Sequence, residues 1–280
     1  MRLTSDDLEI TLDPWKGGGV TSFLWRGIDV FRPHAGGDHP TDLACFPLVP
    51  FCNRIADGRV SRTGEIRTIP MSQKGVDPHH AIHGLGWVSP WSVKQSGQDA
   101  ATLGLAHDGS IWPWTFSSEQ HIQLLENGYS HTLTLTNTDK VPMPAGLGLH
   151  PYFPRERATL SGAFDGYWQT GPDRLPAQHR LLDRQPEWFA DQGFDNCFTG
   201  GSQSIQLAWP GHVLTMRPSA NLPFTHVYTP PGADFLCVEP VSHIPDAINS
   251  PLGREETGLQ MLEPGESFSV ECSFMLKETV

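Results

Sequence analysis

The sequence has few of the residues that bind nucleic acid and few that build a disulfide framework. Lys and Arg number 19 against 31 Asp and Glu, and the formal net charge of -12 argues against a phosphate-backbone partner. The five cysteines are an odd number without CxxC spacing, so neither a disulfide framework nor a zinc knuckle is indicated. This cysteine usage favours a reducing, cytoplasmic setting.

Long apolar runs and nucleotide-binding motifs are also missing. Residues 1–7 contain no apolar signal segment, and no run approaches the ~18 apolar residues that a membrane-spanning helix needs. There is no serine nucleophile elbow, Walker loop, dinucleotide fingerprint or EF-hand loop. We therefore expect neither a nucleic-acid partner nor a membrane association.

What the chain does contain is turn-forming residues and period-two alternation. Its 28 Gly and 25 Pro favour many short strands over long helices. Since all-β sandwiches often exceed ~200 residues as one unit, we predict a single all-β domain over residues 1–280, a large antiparallel sandwich. The strongest local signals are strands at 9–12, 17–25, 235–238 and 267–276 and a hairpin with arms 121–125 and 129–137. Helical evidence is thin, and we expect only one or two helical turns at 186–192. Long loops near 31–52, 71–91 and 170–200 are expected to be functional.

Glu239 follows the apolar run Phe235–Val238 and precedes Pro240, which is expected to end the strand. A carboxylate at the end of a buried strand is partly desolvated, and desolvation raises its pKa toward the range of a general base. The alternative is an ordinary strand-end glutamate at the surface.

His150 lies in the segment GLGLHPYF, between two glycines and an aromatic pair. Pro151 forces an extended conformation on His150, and imidazole is the side chain best suited to transfer a proton near neutral pH. A buried structural histidine is the alternative.

Arg54 and Asp195 are candidates for binding hydroxyl groups. Arg54 lies in a proline-stiffened loop beside Asn53, and its guanidinium can donate to adjacent hydroxyls. Asp195 lies between Phe194 and Phe198 and could accept hydrogen bonds from the same ligand. An ion-paired loop arginine and a turn-capping aspartate remain the alternatives.

His83 belongs to the segment HHAIH, which also permits a metal site. The spacing would place two imidazoles on one face only in a helix, whereas Pro78 before the segment and the glycines after it favour a loop. Trp87 suits stacking on the CH face of a sugar, so we expect His83 to contact a ligand and expect no metal. Trp91, Trp112, Trp114 and Phe224 could also line the cleft, although each of them taken singly is expected in the core.

Five short motifs resemble, in spelling and in order, those of the aldose 1-epimerase (galactose mutarotase) family, and the resemblance extends from near residue 14 to near residue 275. The motifs are NRI, HGLGW, HPYF, FDNCF and VEP. The resemblance implies a galactose mutarotase-like super-sandwich of antiparallel strands. It also implies an isomerase that interconverts the α and β anomers of a free aldohexose, with Glu239 as general base and His150 as general acid. Substrate binding would then fall to Asn53, Arg54, His83 and Asp195.

Such ring opening needs no cofactor, and we expect Glu239 and His150 on opposite sides of a pocket as wide as a pyranose. One alternative is a hexose-6-phosphate 1-epimerase that uses Arg54, Arg59, Arg62 and Lys74. Others are a non-catalytic carbohydrate-binding homologue and a metalloenzyme built on His79, His80 and His83. A small sugar is the expected partner, and the protein is expected to be a monomer or a homodimer.

Overall fold

The computed structural model describes residues 1–70 and 76–279, which are built largely of β-strands. The strands, in chain order, are β1 (Arg2–Thr4), β2 (Leu8–Asp13), β3 (Gly19–Trp25), β4 (Ile28–Asp29), β5 (Cys45–Leu48), β6 (Arg54–Ile55), β7 (Arg59–Arg62), β8 (Glu65–Thr68), β9 (Ala81–Ile82), β10 (Ser92–Ser96), β11 (Ala100–Asp108), β12 (Thr115–Leu125), β13 (Gly128–Asn137), β14 (Met143–Ala145), β15 (Gly148–Pro154), β16 (Thr159–Thr170), β17 (Pro176–Leu181), β18 (Asp195–Trp209), β19 (His212–Pro218), β20 (Phe224–Tyr228), β21 (Phe235–Val241), β22 (Gln260–Leu262) and β23 (Ser267–Glu278).

Helical structure is sparse in this described part of the chain. It comprises one α-helix, α1 (Arg254–Thr257), and 3-10 turns at Pro40–Asp42, Ala56–Gly58, Gly86–Val88 and Ala247–Asn249. All of these helices are too short to cross a bilayer. The high content of glycine and proline explains the pattern, because both residues interrupt helices and favour turns.

Seventeen of the described strands form one hydrogen-bonded sheet, and β14–β22, β6–β9 and β7–β8 form three small additional pairs. The long ladders are antiparallel, including β11–β12–β13–β23–β19–β18. Along β12 and β13, buried and partly exposed residues alternate, as a sheet with one face in the core requires. The predicted all-β antiparallel fold is confirmed.

The predicted hairpin lies where the sequence places it. Leu125 pairs with Gly128, so Glu126 and Asn127 form the two-residue loop and the glycine begins β13. A Cβ atom on Gly128 would lie 1.9 Å from the carbonyl oxygen of Phe274 on the neighbouring strand β23. Glycine is therefore required here by the close approach of two backbones.

Two local predictions are wrong. Pro240 does not end its strand, because β21 continues to Val241 and pairs with β20 along that length. On the other side, the ladder with β15 is interrupted between Gly148 and Tyr152, and this interruption accommodates a residue without an N–H group. Residues 186–192 form turns and bends, since Pro186 begins a segment too short to propagate a helix.

An aromatic cluster fills the core between the sheet layers. The Phe31 ring lies 5.2 Å from Phe23, 5.2 Å from Phe153 and 5.3 Å from Phe274, all in edge-to-face geometry. All four side chains are fully buried. Such contacts add to the stabilisation from burying apolar surface, and they hold β3, β15 and β23 in a defined arrangement. The strand β15, which carries His150, is thus anchored in the core.

Candidate active site

Five neighbouring strands bring residues that are distant in sequence to one level of the sheet. The register pairs Phe46 with His150, His226 with Glu239, and Cys197 with His226. In the β15–β21 ladder, Gly148 pairs with Val241 and Tyr152 pairs with Cys237. His150 is midway between the first pair and the second, so it lies opposite Glu239. Directly opposed residues of antiparallel strands project from the same face. We call these five residues the central rung, and Glu239 has an imidazole on each side of it.

His150 and Glu239 are in direct contact. The Nε2 atom of His150 lies 3.2 Å from Oε1 of Glu239, and the two residues are 5% and 1% exposed. The expected separation by the width of a pyranose is therefore wrong. The closer spacing is chemically reasonable, because the C1 hydroxyl oxygen and the ring oxygen of an aldopyranose are bonded to the same carbon. Two neighbouring groups can therefore reach both oxygens.

Burial shifts the proton affinities of this pair in opposite directions. Burial raises the pKa of the Glu239 carboxyl well above 4.5, and the negative charge of Asp195 adds to the effect. Burial lowers the pKa of His150 to about 3. Burial thus favours the protonated carboxyl and the neutral imidazole over the charged forms of the two groups, since neither charged form is well solvated.

One cavity of about 330 Å³ is lined by all six side chains that the sequence analysis singled out, which are Asn53, Arg54, His83, His150, Asp195 and Glu239. Its volume lies at the lower end of the range typical of small-molecule sites. The segments 31–52 and 170–200 also contribute lining residues, including Thr41 and Arg174, although these predicted long loops contain the strands β5 and β17.

A polar network surrounds Asp195 at one side of this cavity. Arg54 donates from Nε to Asp77 Oδ2 at 2.8 Å and from Nη1 to Asn53 Oδ1 at 3.2 Å, while its Nη2 lies 3.6 Å from Asp195 Oδ2. His226 Nε2 is 2.8 Å from Asp195 Oδ1. Burial acts to raise the pKa of Asp195, but the hydrogen bond from His226 and the nearby cations outweigh it and lower the pKa to about 2. Asp195 is thus a stable carboxylate beside the neutral pair.

His83 reaches the cavity through a strained loop. It has a positive φ of 60°, its N–H donates to Asn53 O at 2.8 Å, and its ring meets that of His150 edge to face at 5.0 Å. At the next residue, Gly84, a Cβ would lie 2.1 Å from the carbonyl oxygen of Val49. The glycine of the HGLGW motif therefore allows the close backbone contact that holds His83 in the cavity wall.

The histidine-rich segment does not gather as the metal hypothesis requires. His80 accepts from Asp57 N–H through Nδ1, and its Nε2 lies 2.9 Å from Asp173 O. Among the described residues, the donor atoms of His150, Cys237 and Glu239 do lie within 4.8 Å of one another, a spacing that a metal ion could bridge. Burial raises the pKa of the Cys237 thiol well above 9.0, so this thiol would have to release its proton to serve as a ligand there.

The aromatic lining differs from the prediction. Trp87 is fully buried and stacks on Phe46 with ring centroids 5.1 Å apart, so it supports the cavity wall from behind. Trp91, Trp112 and Trp114 are buried core residues, as expected for each of them taken singly. The cavity is instead lined by Tyr152, Tyr228 and Phe235. Their positions depend on the strand register, which periodicity does not reveal.

The arginines that line the cavity are also mostly not those named in the sequence analysis. Arg62 donates to Asp139 Oδ1 at 3.0 Å and lines a separate surface groove. Arg59 is an exposed residue outside the cavity, and Lys74 lies outside the described residues. Two other arginines, Arg32 and Arg174, line the cavity with Arg54.

Arg32, Arg174, Asp77 and His226 are site residues that the sequence analysis missed. Of these four, only His226 could have been found from the sequence. Its segment has the alternation of a strand, and Pro230-Pro231-Gly232 separates it from the apolar residues that precede Glu239. That pattern indicates a hairpin, although its register could not be derived from the loop.

Comparison with known proteins agrees with the fold and the motifs. A family model described as aldose 1-epimerase matches residues 10–275. The uncharacterized protein YphB of Escherichia coli K12 is 30% identical over 285 residues, which cover 96% of each chain. A solved structure from Escherichia coli K12, described as a candidate aldose 1-epimerase, has a TM-score of 0.88 and 26% identity, covering 99% of this chain and 98% of its own. A galactose mutarotase-like protein from Clostridium acetobutylicum has a TM-score of 0.87 and 18% identity, covering 99% and 95%. The chain therefore belongs to the aldose 1-epimerase family.

Proposed function

We propose that the protein interconverts the α and β anomers of a free aldohexose by acid–base catalysis of ring opening. The observation that carries this proposal is the contact between His150 and Glu239, 3.2 Å apart, in the wall of a cavity of about 330 Å³. Two proton-handling groups that touch each other can serve two oxygens bonded to one carbon. The polar network of Asn53, Arg54 and Asp195, together with His83, would bind the sugar hydroxyls.

The proposed reaction begins when one group removes the proton from the C1 hydroxyl. The C1–O5 bond breaks as the other group protonates O5, which yields the open-chain aldehyde and a C5 hydroxyl. Rotation about C1–C2 followed by the reverse steps gives the other anomer, and the pair ends with the same number of protons. With Glu239 as base and His150 as acid, the proton on Glu239 must first cross the 3.2 Å to His150 when sugar binds.

Polarimetry on freshly dissolved α-anomers of a panel of aldoses tests the proposal. The protein should accelerate the return to anomeric equilibrium of at least one sugar above the spontaneous rate, in proportion to its concentration. A sugar that binds without any acceleration would instead favour a non-catalytic carbohydrate-binding protein.

The pH dependence of kcat/KM tests the state of the pair. Because the pKa of His150 is lowered to about 3 and that of Glu239 is raised well above 4.5, the pair holds one proton over the pH range between these two pKa values. We expect kcat/KM to be constant across that range and to fall as the pH rises through the raised pKa of Glu239. Initial rates corrected for buffer catalysis measure this profile. A rate that climbs steadily from pH 5 to pH 7 would contradict the assignment.

A substrate with an anionic group is the second candidate, and two arginines favour it. Arg32 stacks on Tyr152 and Phe235, at 4.0 and 4.8 Å, and its Nη2 donates to the carbonyl oxygens of Thr41 and Leu43. Arg174 is exposed at the cavity. Neither guanidinium has a carboxylate within 4.0 Å among the described residues.

Comparing glucose with glucose 6-phosphate distinguishes the two candidates. If the phosphate is recognised, Arg174→Gln should lower kcat/KM for glucose 6-phosphate by about tenfold and leave glucose unchanged, as the loss of one charge-assisted hydrogen bond predicts. Arg62→Gln, which removes an arginine from the separate groove, is the matched control. Equal rates of both variants on both sugars would exclude this role for Arg174.

A further inference from the structure

His226 is a cavity residue whose two ring nitrogens both face protein partners. Its Nε2 lies 2.8 Å from Asp195 Oδ1, and a carboxylate oxygen can only accept, so Nε2 carries the proton. The Nδ2 amide group of Asn53 lies 3.4 Å from Nδ1 and 3.4 Å from Nε2. Because Nε2 carries a proton, the amide can donate only to Nδ1. The tautomer with Nε2 protonated therefore satisfies both contacts.

These contacts close a ring of four side chains. Oδ1 of Asn53 accepts from Arg54 Nη1 at 3.2 Å, and Arg54 Nη2 lies 3.6 Å from the second oxygen of Asp195. Each member of the ring therefore orients the next one. His226 is the link between the amide and the carboxylate, which have no other direct contact in the ring.

The four members differ in how firmly the backbone holds them. Asn53 adopts a positive φ of 54°, Arg54 begins the two-residue strand β6, and Asp195 is the first residue of β18. His226 is in the middle of β20, paired with β18 on one side and β21 on the other, and it is 4% exposed. The imidazole is thus the member on the most constrained backbone. It also lies directly opposite Glu239 on the central rung.

We propose that His226 is a positioning residue, which fixes Asp195 and Asn53 in the orientation that binds sugar hydroxyls beside the His150–Glu239 pair. This inference rests on the proposed function. His226 itself transfers no proton to the sugar, because both of its nitrogens are engaged by protein groups. Its effect should therefore appear in substrate binding more than in the chemical step.

Two substitutions separate the hydrogen-bonding role from the packing role. Glutamine has one amide donor group and one carbonyl acceptor, so His226→Gln can replace one donated and one accepted hydrogen bond, whereas His226→Phe keeps a ring and removes both bonds. We expect His226→Phe to raise KM by about tenfold or more with kcat within about threefold, and His226→Gln to restore most of the loss. His131→Phe is the matched control, because His131 is also buried on a strand and makes one bond, from Nε2 to Gln120 Oε1 at 2.9 Å. It should leave KM unchanged.

A double-mutant cycle tests whether His226 acts through Asp195. In the Asp195→Ala background, His226→Phe should add little to KM, since the carboxylate that it orients is gone. An equal increase in both backgrounds would overturn the proposal, as would a His226→Phe protein that loses kcat while KM is unchanged.

A ring-nitrogen NMR measurement on the wild-type protein keeps the proposal testable if His226→Phe does not fold. Long-range ¹H–¹⁵N correlations at neutral pH should show Nε2 of His226 protonated and Nδ1 unprotonated. The opposite tautomer would overturn the inference whatever the enzyme does. Failure of the wild-type protein to accelerate any aldose would instead refute the proposed function and leave this measurement unaffected.

Discussion

Replacing Glu239 with glutamine should lower kcat for mutarotation by about 10²- to 10⁴-fold, the range expected when a general acid–base group is removed. Glutamine has nearly the same shape but cannot exchange a proton with His150, whose Nε2 lies 3.2 Å from the carboxyl. The remaining rate would come from the sugar contacts alone. Polarimetric progress curves at saturating sugar measure the change.

The same substitution should not harm folding. Because the folded-state pKa of Glu239 is raised above its unfolded value, its contribution to stability is present at low pH and is lost as pH rises through the folded pKa. Glutamine carries no charge, so the thermal stability of Glu239→Gln relative to wild type should increase with pH. Thermal unfolding measured across the pH range checks this expectation.

Glu271 on β23 is the matched control for Glu239. It is an exposed strand glutamate that accepts a hydrogen bond from Thr132 Oγ1 at 3.2 Å. Glu271→Gln should leave both kcat and KM unchanged. A wild-type rate for folded Glu239→Gln would refute the proposed mechanism.

Replacing His150 with glutamine is expected to have the second large effect, again about 10²- to 10⁴-fold in kcat. The two groups exchange one proton, so each is ineffective without the other. We therefore expect the double variant Glu239→Gln/His150→Gln to be about as slow as either single variant, the non-additivity of residues that act as one unit.

His131 provides the control for this substitution, because burial lowers its pKa to about 3, as it does for His150. It lies outside the cavity, so His131→Gln should change stability and leave kcat unchanged. If the losses in the double variant multiplied instead, His150 and Glu239 would be acting independently.

Much of the fold could be predicted locally. The alternation along β12 and β13 and the turn residues before Gly128 indicate a hairpin whatever lies elsewhere, because the side-chain period of a strand depends only on its own backbone. Pro240 shows where local reasoning failed. A proline is tolerated inside β21 because the neighbouring ladder is interrupted there, and that is a property of two strands distant in sequence.

The candidate site divides in the same way. The sequence by itself determined which chemistry is available, since the motifs around His150 and Glu239 supply an imidazole and a carboxyl and their short spellings identify the family. Only the tertiary structure decided that these groups touch, that His226 stands on the other side of Glu239, and that Trp87 lies behind the cavity wall. The physical reason is that register is set by hydrogen bonds between whole strands. A shift of one residue would turn each of these side chains to the opposite face of the sheet.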